Sequence, residues 1–295
     1  MFKTCPQKKM TQMNNIKFVF FGTSMFSVFV LNSLKESGFI PFRIVTFPDR
    51  PKGRKMIPSP NVVKTWAEVN NVKVIETLTL RDIDIQNEIA SLGADLFIVA
   101  SFGRILPKEI IYMPKFKTLN VHPSLLPRLR GPAPIQEAIL SEYKTGVSIM
   151  RLDEGMDTGP ILAQEEVFIE NWPIYYKEAE EILGKTGGRL LSEVLPHWVT
   201  GNIKEISQDN SKATITRKIE RTDGDITNDS PEVALKKIKA FEVWPRTFLH
   251  YPNKDGTKDL LIVKKAEIND GKLVPTLVIP AGRREMKFED YKRGR

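Results

Sequence analysis

Residues 16–47, IKFVFFGTSMFSVFVLNSLKESGFIPFRIVTF, hold two apolar runs with a helix-period segment between them. Phe18, Val19, Phe20 and Phe21 are apolar at consecutive positions, the pattern of a strand covered on both faces. After Gly22, Ser24 suits a helix N-cap and Gly38 suits the stop. A second strand follows in FRIVTF. Strand, helix, strand is the repeating unit of a parallel sheet, because a parallel return needs a crossover.

The alternation continues. NVVKTWAEVNN and IDIQNEIASLG have helical period, and VKVIE, ADLFIVAS and TLNVH read as extended. This predicts an α/β fold, a mostly parallel sheet with helices on both faces. The segment YYKEAEEILGKTGGRLLSEVLPHWV reads as one or two helices interrupted between residues 184 and 188. From about Gly201 the character changes to short strand-like pieces, ATITRKI, RTFLHYP, LLIVKKAEI and KLVPTLVI, with one helical stretch, PEVALKKIKAF. The prediction is a main domain over 16–200 and a smaller β-barrel over 201–295.

The formal net charge of +8 favours an anionic partner. From Lys204 onward basic residues exceed acidic ones by about five, so much of the excess lies in the smaller domain. A single cysteine, Cys5, excludes a disulfide framework and a cysteine-built zinc site, and it suits a reducing compartment. No apolar run approaches the length of a membrane span. Residues 1–15, MFKTCPQKKMTQMNN, are basic, acid-free and lack arginine, and read as a disordered leader. The expectation is a soluble, cytoplasmic monomer.

Open α/β sheets bind ligands beyond the carboxyl ends of their strands. The first turn, Gly22-Thr23-Ser24, lacks the G-x-G-x-x-G spacing of a dinucleotide cradle, and Gly22 reads as a tight strand-to-helix turn. In LNVHPSLLPRLRGPAP, residues 119–134, Asn120 and His122 are two apart and share one strand face. An amide donor beside an imidazole suits a carbonyl whose oxygen gains negative charge. On spacing alone, a hydrogen-bonded histidine at a strand end is the commoner outcome. In RLDEGMDTGPIL, residues 151–162, Asp157 can orient an imidazole, or serve ordinary turn chemistry. DRPKGRK, residues 49–55, reads either as a grip on phosphate or as a solvated charge run. Trp244 and Pro245 read as packing, His197 and His250 as structural, and the acidic stretch 178–181 as a solvated helix face.

NVHPSLLPRLRGPAPIQ followed by TGVSIMRLDEGMDTGPIL resembles the formyltransferase family that uses 10-formyltetrahydrofolate, and within it the branch acting on methionyl-tRNA. FFGTSMFS, PDRPKGR, IPSP, ADLFIVASFGRILP, AFEVWPR and PAGRREM stand in the expected order, so the likeness covers nearly the whole chain after about Ile16. It implies a Rossmann-like catalytic domain followed by an OB-like barrel. It implies Asn120, His122 and Asp157 as the catalytic trio, with no metal. Ser124, Leu125, Leu126 and Pro127 would contact the folate, and Phe102, Gly103, Arg104, Ile105 and Leu106 would lie near its pterin. Arg50, Lys52, Arg54 and Lys55 would meet the acceptor end of methionyl initiator tRNA, with the basic barrel on its backbone. Three features depart from the family pattern: the RPKGRKMIPSP loop is shorter than usual, Pro123 replaces a small residue, and the second domain reads as trimmed. The alternatives are a formyltransferase for a small amine, such as a phosphorylated glycinamide or an amino sugar, and a non-catalytic RNA-binding module.

Overall fold

A computed structural model describes residues 16–52, 57–59, 61–141, 144–252 and 257–294, with backbone alone for 50–52 and 57–59. The expected leader, residues 1–15, lies outside the described residues, as do Arg54 and Lys55.

The first strand, β1 (Phe18–Gly22), is buried throughout and leads into α1 (Met25–Glu36) and β2 (Arg43–Thr46). Ser24 caps α1 through a reciprocal pair with Ser27, and Gly38 follows the helix at φ +84°. Next, β3 (Arg50–Lys52) and β4 (Ile57–Ser59) form a two-stranded hairpin where the sequence predicts a loop. Pro51 faces Pro58 in it. Each strand there is an edge, so a residue without an N–H breaks no second ladder. The chain continues through α2 (Val62–Val69), β5 (Val74–Glu76), α3 (Ile83–Ser91), β6 (Leu96–Ala100) and α4 (Lys108–Ile111). Then come β7 (Thr118–His122), α5 (Pro134–Ser141), β8 (Thr145–Arg151), β9 (Ile161–Val167) and α6 (Tyr176–Val199).

Seven strands make one sheet in the order β5-β2-β1-β6-β7-β8-β9. It is parallel from β5 to β7, and β8 and β9 are antiparallel. Strand order reverses between β1 and β6, the switch point beyond which such sheets place their ligands. On one face Val19, Phe21, Phe97 and Val99 pack with Ile89 of α3 and with Ile110 and Ile111 of α4. On the other face α6 crosses Val121 of β7.

The helix α6 is continuous over 24 residues, which corrects the expected interruption. A Cβ on Gly187 would stand 2.5 Å from Val121 Cγ1, and one on Gly188 would stand 2.6 Å from the Val30 carbonyl. These glycines let the helix lie close against β7 and α1, at a propensity cost of about 1 kcal/mol each. The acidic stretch 178–181 is also only partly solvated. Glu180 is buried and accepts the Phe26 N–H at 3.2 Å, satisfying a donor at the α1 N-terminus that has no helical partner.

The chain clusters into two compact units. The first comprises residues 1–130, 145–168 and 180–215; the second comprises 131–144, 169–179 and 216–295. Besides α5, the second contains α7 (Pro231–Ala240), β10 (Thr247–Pro252), β11 (Lys258–Asn269), β12 (Lys272–Pro280), β13 (Met286–Lys287) and α8 (Phe288–Arg293). Its strands form an antiparallel sheet in the order β10-β11-β12-β13. Ile226, Ala234, Ile238, Val263 and Ala266 make one core cluster, and Leu261, Val278, Phe288 and Tyr291 make another. ATITRKI forms no strand: it contributes only an isolated bridge, Ile215 with Arg130, and Ile215 is exposed. Among the described residues no helix is long and apolar enough to cross a membrane.

Candidate active site

Strand β7 sits between β6, parallel to it, and β8, antiparallel. Asn120 stands opposite Val99 and Met150, and His122 opposite Ser148. Their side chains leave the face that Val99 shares, with Asn120 8 % and His122 4 % exposed.

The ring of His122 is held at one nitrogen and faces a carboxylate at the other. Nε2 lies 2.9 Å from the Leu129 carbonyl oxygen. A carbonyl only accepts, so Nε2 carries the hydrogen and the lone pair of the neutral ring is on Nδ1. Nδ1 lies 3.7 Å from Asp157 Oδ2. That separation is longer than a hydrogen bond but short enough for a carboxylate to stabilise a protonated ring. Leu129 has a left-handed backbone, φ +57°, which is costly for a leucine. Its N–H donates to Thr214 Oγ1 at 2.8 Å, and the next N–H, of Arg130, donates to the Thr214 carbonyl at 2.9 Å.

Asp157 arrives by an indirect route. Strand β8 ends beside the start of β7, where Leu119 pairs with Arg151, yet His122 closes the other end of β7. Loop 152–160 therefore doubles back to bring the carboxylate to the imidazole. Asp153 ties the loop internally, accepting from the Gly155 N–H at 3.0 Å and from Thr158 Oγ1 at 2.7 Å. Asp157 itself is left-handed, φ +56°. Gln208 Nε2 donates to the carbonyls of Asp157 and Gly159 at 2.9 and 2.7 Å.

The segment after His122 is braced from within. Ser124 is buried and donates its hydroxyl to the Arg128 carbonyl at 2.7 Å. The Leu126 N–H donates to Ser148 Oγ at 3.0 Å, and the Leu126 carbonyl accepts from Gln164 at 2.8 Å. Leu125 and Pro127 remain half-buried. Beyond β6, Phe102 packs against Phe21 and Phe47 with ring centroids 5.6 and 5.3 Å away, and Leu106 is buried. Between them Gly103, Arg104 and Ile105 are exposed, with Ile105 at 86 %. The Arg104 guanidinium lies over the Phe47 ring. In the first turn, Thr23 N–H donates to the Ser101 carbonyl and to Ser27 Oγ, and a Cβ on Gly22 would meet Ser27 at 2.7 Å. The tight-turn reading of Gly22 accounts for that geometry.

Other residues singled out in the sequence lie elsewhere. Arg50 and Lys52 belong to β3. Trp244, expected in packing, is 55 % exposed, and His250 is exposed with its ring edge-on to Phe248. His197 is half-buried in α6. Sequence reasoning does not single out Leu129, Arg130, Gln208 or Thr214. Gln208 and Thr214 sit in a stretch whose polar residues read as the start of the smaller domain. Among the described residues no three of His, Cys, Asp and Glu cluster so as to hold a metal ion.

Residues 14–194 match the family described as formyl transferase. The chain belongs to the formyl transferase family. This formyl transferase is 38 % identical to a methionyl-tRNA formyltransferase of Bacillus velezensis, over 95 % of each chain. It is 41 % identical to that of Bacillus cytotoxicus over 78 % of this chain and 74 % of the relative. Among solved structures, a methionyl-tRNA formyltransferase from Clostridium thermocellum matches with a TM-score of 0.58 at 17 % identity, covering 90 % of this chain and 98 % of that one. A sugar N-formyltransferase from Shewanella matches with a TM-score of 0.60 at 18 % identity, covering 82 % and 95 %. The fold is thus common to proteins named for different acceptors, and fold alone does not choose between them.

Proposed function

We propose that this formyl transferase moves the formyl group of 10-formyltetrahydrofolate onto the amino group of methionyl initiator tRNA, acting as a cytoplasmic monomer. The acceptor rests on one observation: likeness to a methionyl-tRNA formyltransferase runs through 95 % of the chain, smaller unit included. The chemistry rests on the Asn120, His122 and Asp157 cluster.

The residues fit a folate. Exposed Ile105 between buried Phe102 and Leu106, with half-buried Leu125 and Pro127, offers apolar surface for a flat ring to cover. Bound there, 10-formyltetrahydrofolate supplies the formyl carbon. His122 Nδ1 takes the proton of the attacking amine, because the Leu129 carbonyl keeps the other nitrogen protonated. Asp157 then stabilises the imidazolium across 3.7 Å. The Asn120 amide donates to the formyl oxygen as negative charge builds on it. When that charge collapses, the bond from the formyl carbon to the folate nitrogen breaks, and the departing nitrogen takes up the proton held on His122. Holding amine and carbon in reactive contact contributes much of the remaining acceleration.

Arg50, Lys52, Arg54 and Lys55 are assigned to the tRNA acceptor end, and the basic residues of 201–295 to its backbone. The four-stranded antiparallel sheet is read as the wall of a small OB-like barrel. The test offers labelled 10-formyltetrahydrofolate with methionyl initiator tRNA, a nucleotide-linked amino sugar or a phosphorylated glycinamide. Label on the methionyl-tRNA supports the proposal. Label on a small amine alone replaces the acceptor, and RNA binding without any transfer favours a non-catalytic module.

A further inference from the structure

Residues 205–208 fasten loop 152–160 at three places. At the entry, the Arg151 guanidinium pairs with Glu205, Nη2 to Oε2 at 2.9 Å. At the exit, Ile206 and Ile161 exchange backbone hydrogen bonds of 2.9 and 2.8 Å. At the tip, Gln208 Nε2 spends both hydrogens on the carbonyls of Asp157 and Gly159. Its Oε1 accepts from Arg130 Nε at 3.1 Å and Nη2 at 2.8 Å, while the same Nη2 donates to Asn210 Oδ1 at 2.8 Å. Arg130 is 5 % exposed.

This chain of bonds runs in one direction only. A guanidinium has donors alone and the two loop carbonyls accept alone, so the amide between them has a single workable orientation. No other side chain of similar size presents an acceptor to the arginine and two hydrogens to the loop. The bonds also fall on a residue at φ +56°, a conformation that surrounding contacts must hold.

We propose that Gln208, oriented by Arg130, is a positioning residue that holds Asp157 against His122. The proposal rests on the reading of Asp157 as part of the catalytic trio. Gln208 touches neither reacting group and acts through the loop backbone, so its loss slows turnover without weakening either substrate's binding.

The full-length chain tests this in formylation of methionyl-tRNA, with Gln208→Met, Gln208→Glu, Arg130→Met, Asp157→Ala and the double variant Asp157→Ala with Gln208→Met. Gln208→Glu keeps the shape and the arginine pairing but turns only acceptors toward the loop. Both Gln208 variants are expected to lose about 10- to 100-fold in kcat, with KM for methionyl-tRNA and for the folate within about threefold of the parent. Amide exchange across residues 153–160, measured without substrates, is expected to speed up in both and in Arg130→Met. The double variant is expected to be no slower than Asp157→Ala, because the effect passes through that carboxylate. Parental kcat in Gln208→Glu, or a loss that multiplies in the Asp157→Ala background, would overturn the proposal while leaving the trio intact. Parental turnover in Asp157→Ala itself would remove the reading of Asp157, and this proposal with it. If Gln208→Met unfolds, as a thermal melt would show, Gln208→Glu and Arg130→Met decide the matter.

Discussion

His122 gives its Nε2 hydrogen to the carbonyl of Leu129 at 2.9 Å, and this bond decides which end of the ring is basic. The lone pair is left on Nδ1, on the side where Asp157 approaches to 3.7 Å. The carbonyl is aimed by a left-handed leucine, which Thr214 holds through hydrogen bonds at its own and the following amide. The tautomer of the ring is thus set by backbone geometry.

Asn120 is assigned to the oxygen that gains charge. Asn120→Ala is expected to lower kcat by about 10²- to 10³-fold, the loss that follows removal of one such donor. Asn120→Asp is expected to be slower still, since a carboxylate repels the developing charge. Steady-state kinetics with methionyl-tRNA check this; equal rates for the two variants would count against the donor role.

Gly188 is assigned to close packing rather than to a helix break. In Gly188→Ala the new methyl would meet the Val30 carbonyl at 2.6 Å and Ser33 Cβ at 2.7 Å. Overpacking of this kind costs about 1–3 kcal/mol. The helix-propensity gain of about 1 kcal/mol offsets it only in part. The melting temperature is expected to fall by about 2–4 °C per net kcal/mol. A rise in calorimetry would show that α6 tolerates the group.

How legible these features are in the sequence depends on where their causes lie. Strands β1 and β6 show as apolar runs because both their faces are covered. The α1 cap shows because Ser24 acts within one turn. The continuity of α6 does not, since the reason for its glycines is Val121 and Val30, far away in the chain. Glu180 reads as solvated because its partner, the Phe26 N–H, lies on another helix. In the site, spacing places Asn120 and His122 on one face. Spacing says nothing of a loop that doubles back to bring Asp157 to them, or of a carbonyl that selects the tautomer. Gln208 escapes notice for the same reason: its role exists only once the loop has folded under it.

Asp223 is expected to make the smaller unit sensitive to acid. Hydrogen bonds from Arg217, Nη1 to Oδ2 at 2.7 Å and Nη2 to Oδ1 at 2.5 Å, hold its carboxyl below the usual carboxylate range, helped by the Glu220 amide. A carboxyl depressed by folding stabilises the fold above its unfolded pKa, and that contribution is lost as pH falls through the folded value. Asp223→Asn is therefore expected to melt below the parent near pH 7. The gap should narrow through the acidic range and close once the parent's Asp223 is protonated. Melts across pH check the sign; a gap that widens in acid contradicts it.

The exposed cations of the smaller unit are assigned to tRNA phosphates. Replacing Lys265, Lys272, Arg283, Arg284 and Lys287 with glutamine is expected to weaken tRNA binding. The slope of log affinity against log salt should become shallower by about 0.7–0.9 for each phosphate that is no longer neutralised. Filter binding over a salt series reads both. A weaker affinity with an unchanged slope would mean that these residues act other than by charge.

Formyl transfer to methionyl-tRNA with His122 as the proton acceptor can be followed in a single-turnover experiment. Parent and His122→Ala are each mixed, at saturating enzyme and 10-formyltetrahydrofolate, with methionyl initiator tRNA, and formyl-methionyl-tRNA is followed in time. The parent is expected to transfer the formyl group, and the variant to do so at least about 10²-fold more slowly with tRNA binding unchanged. Transfer by His122→Ala at the parental rate, or none by the parent to this acceptor, would contradict it.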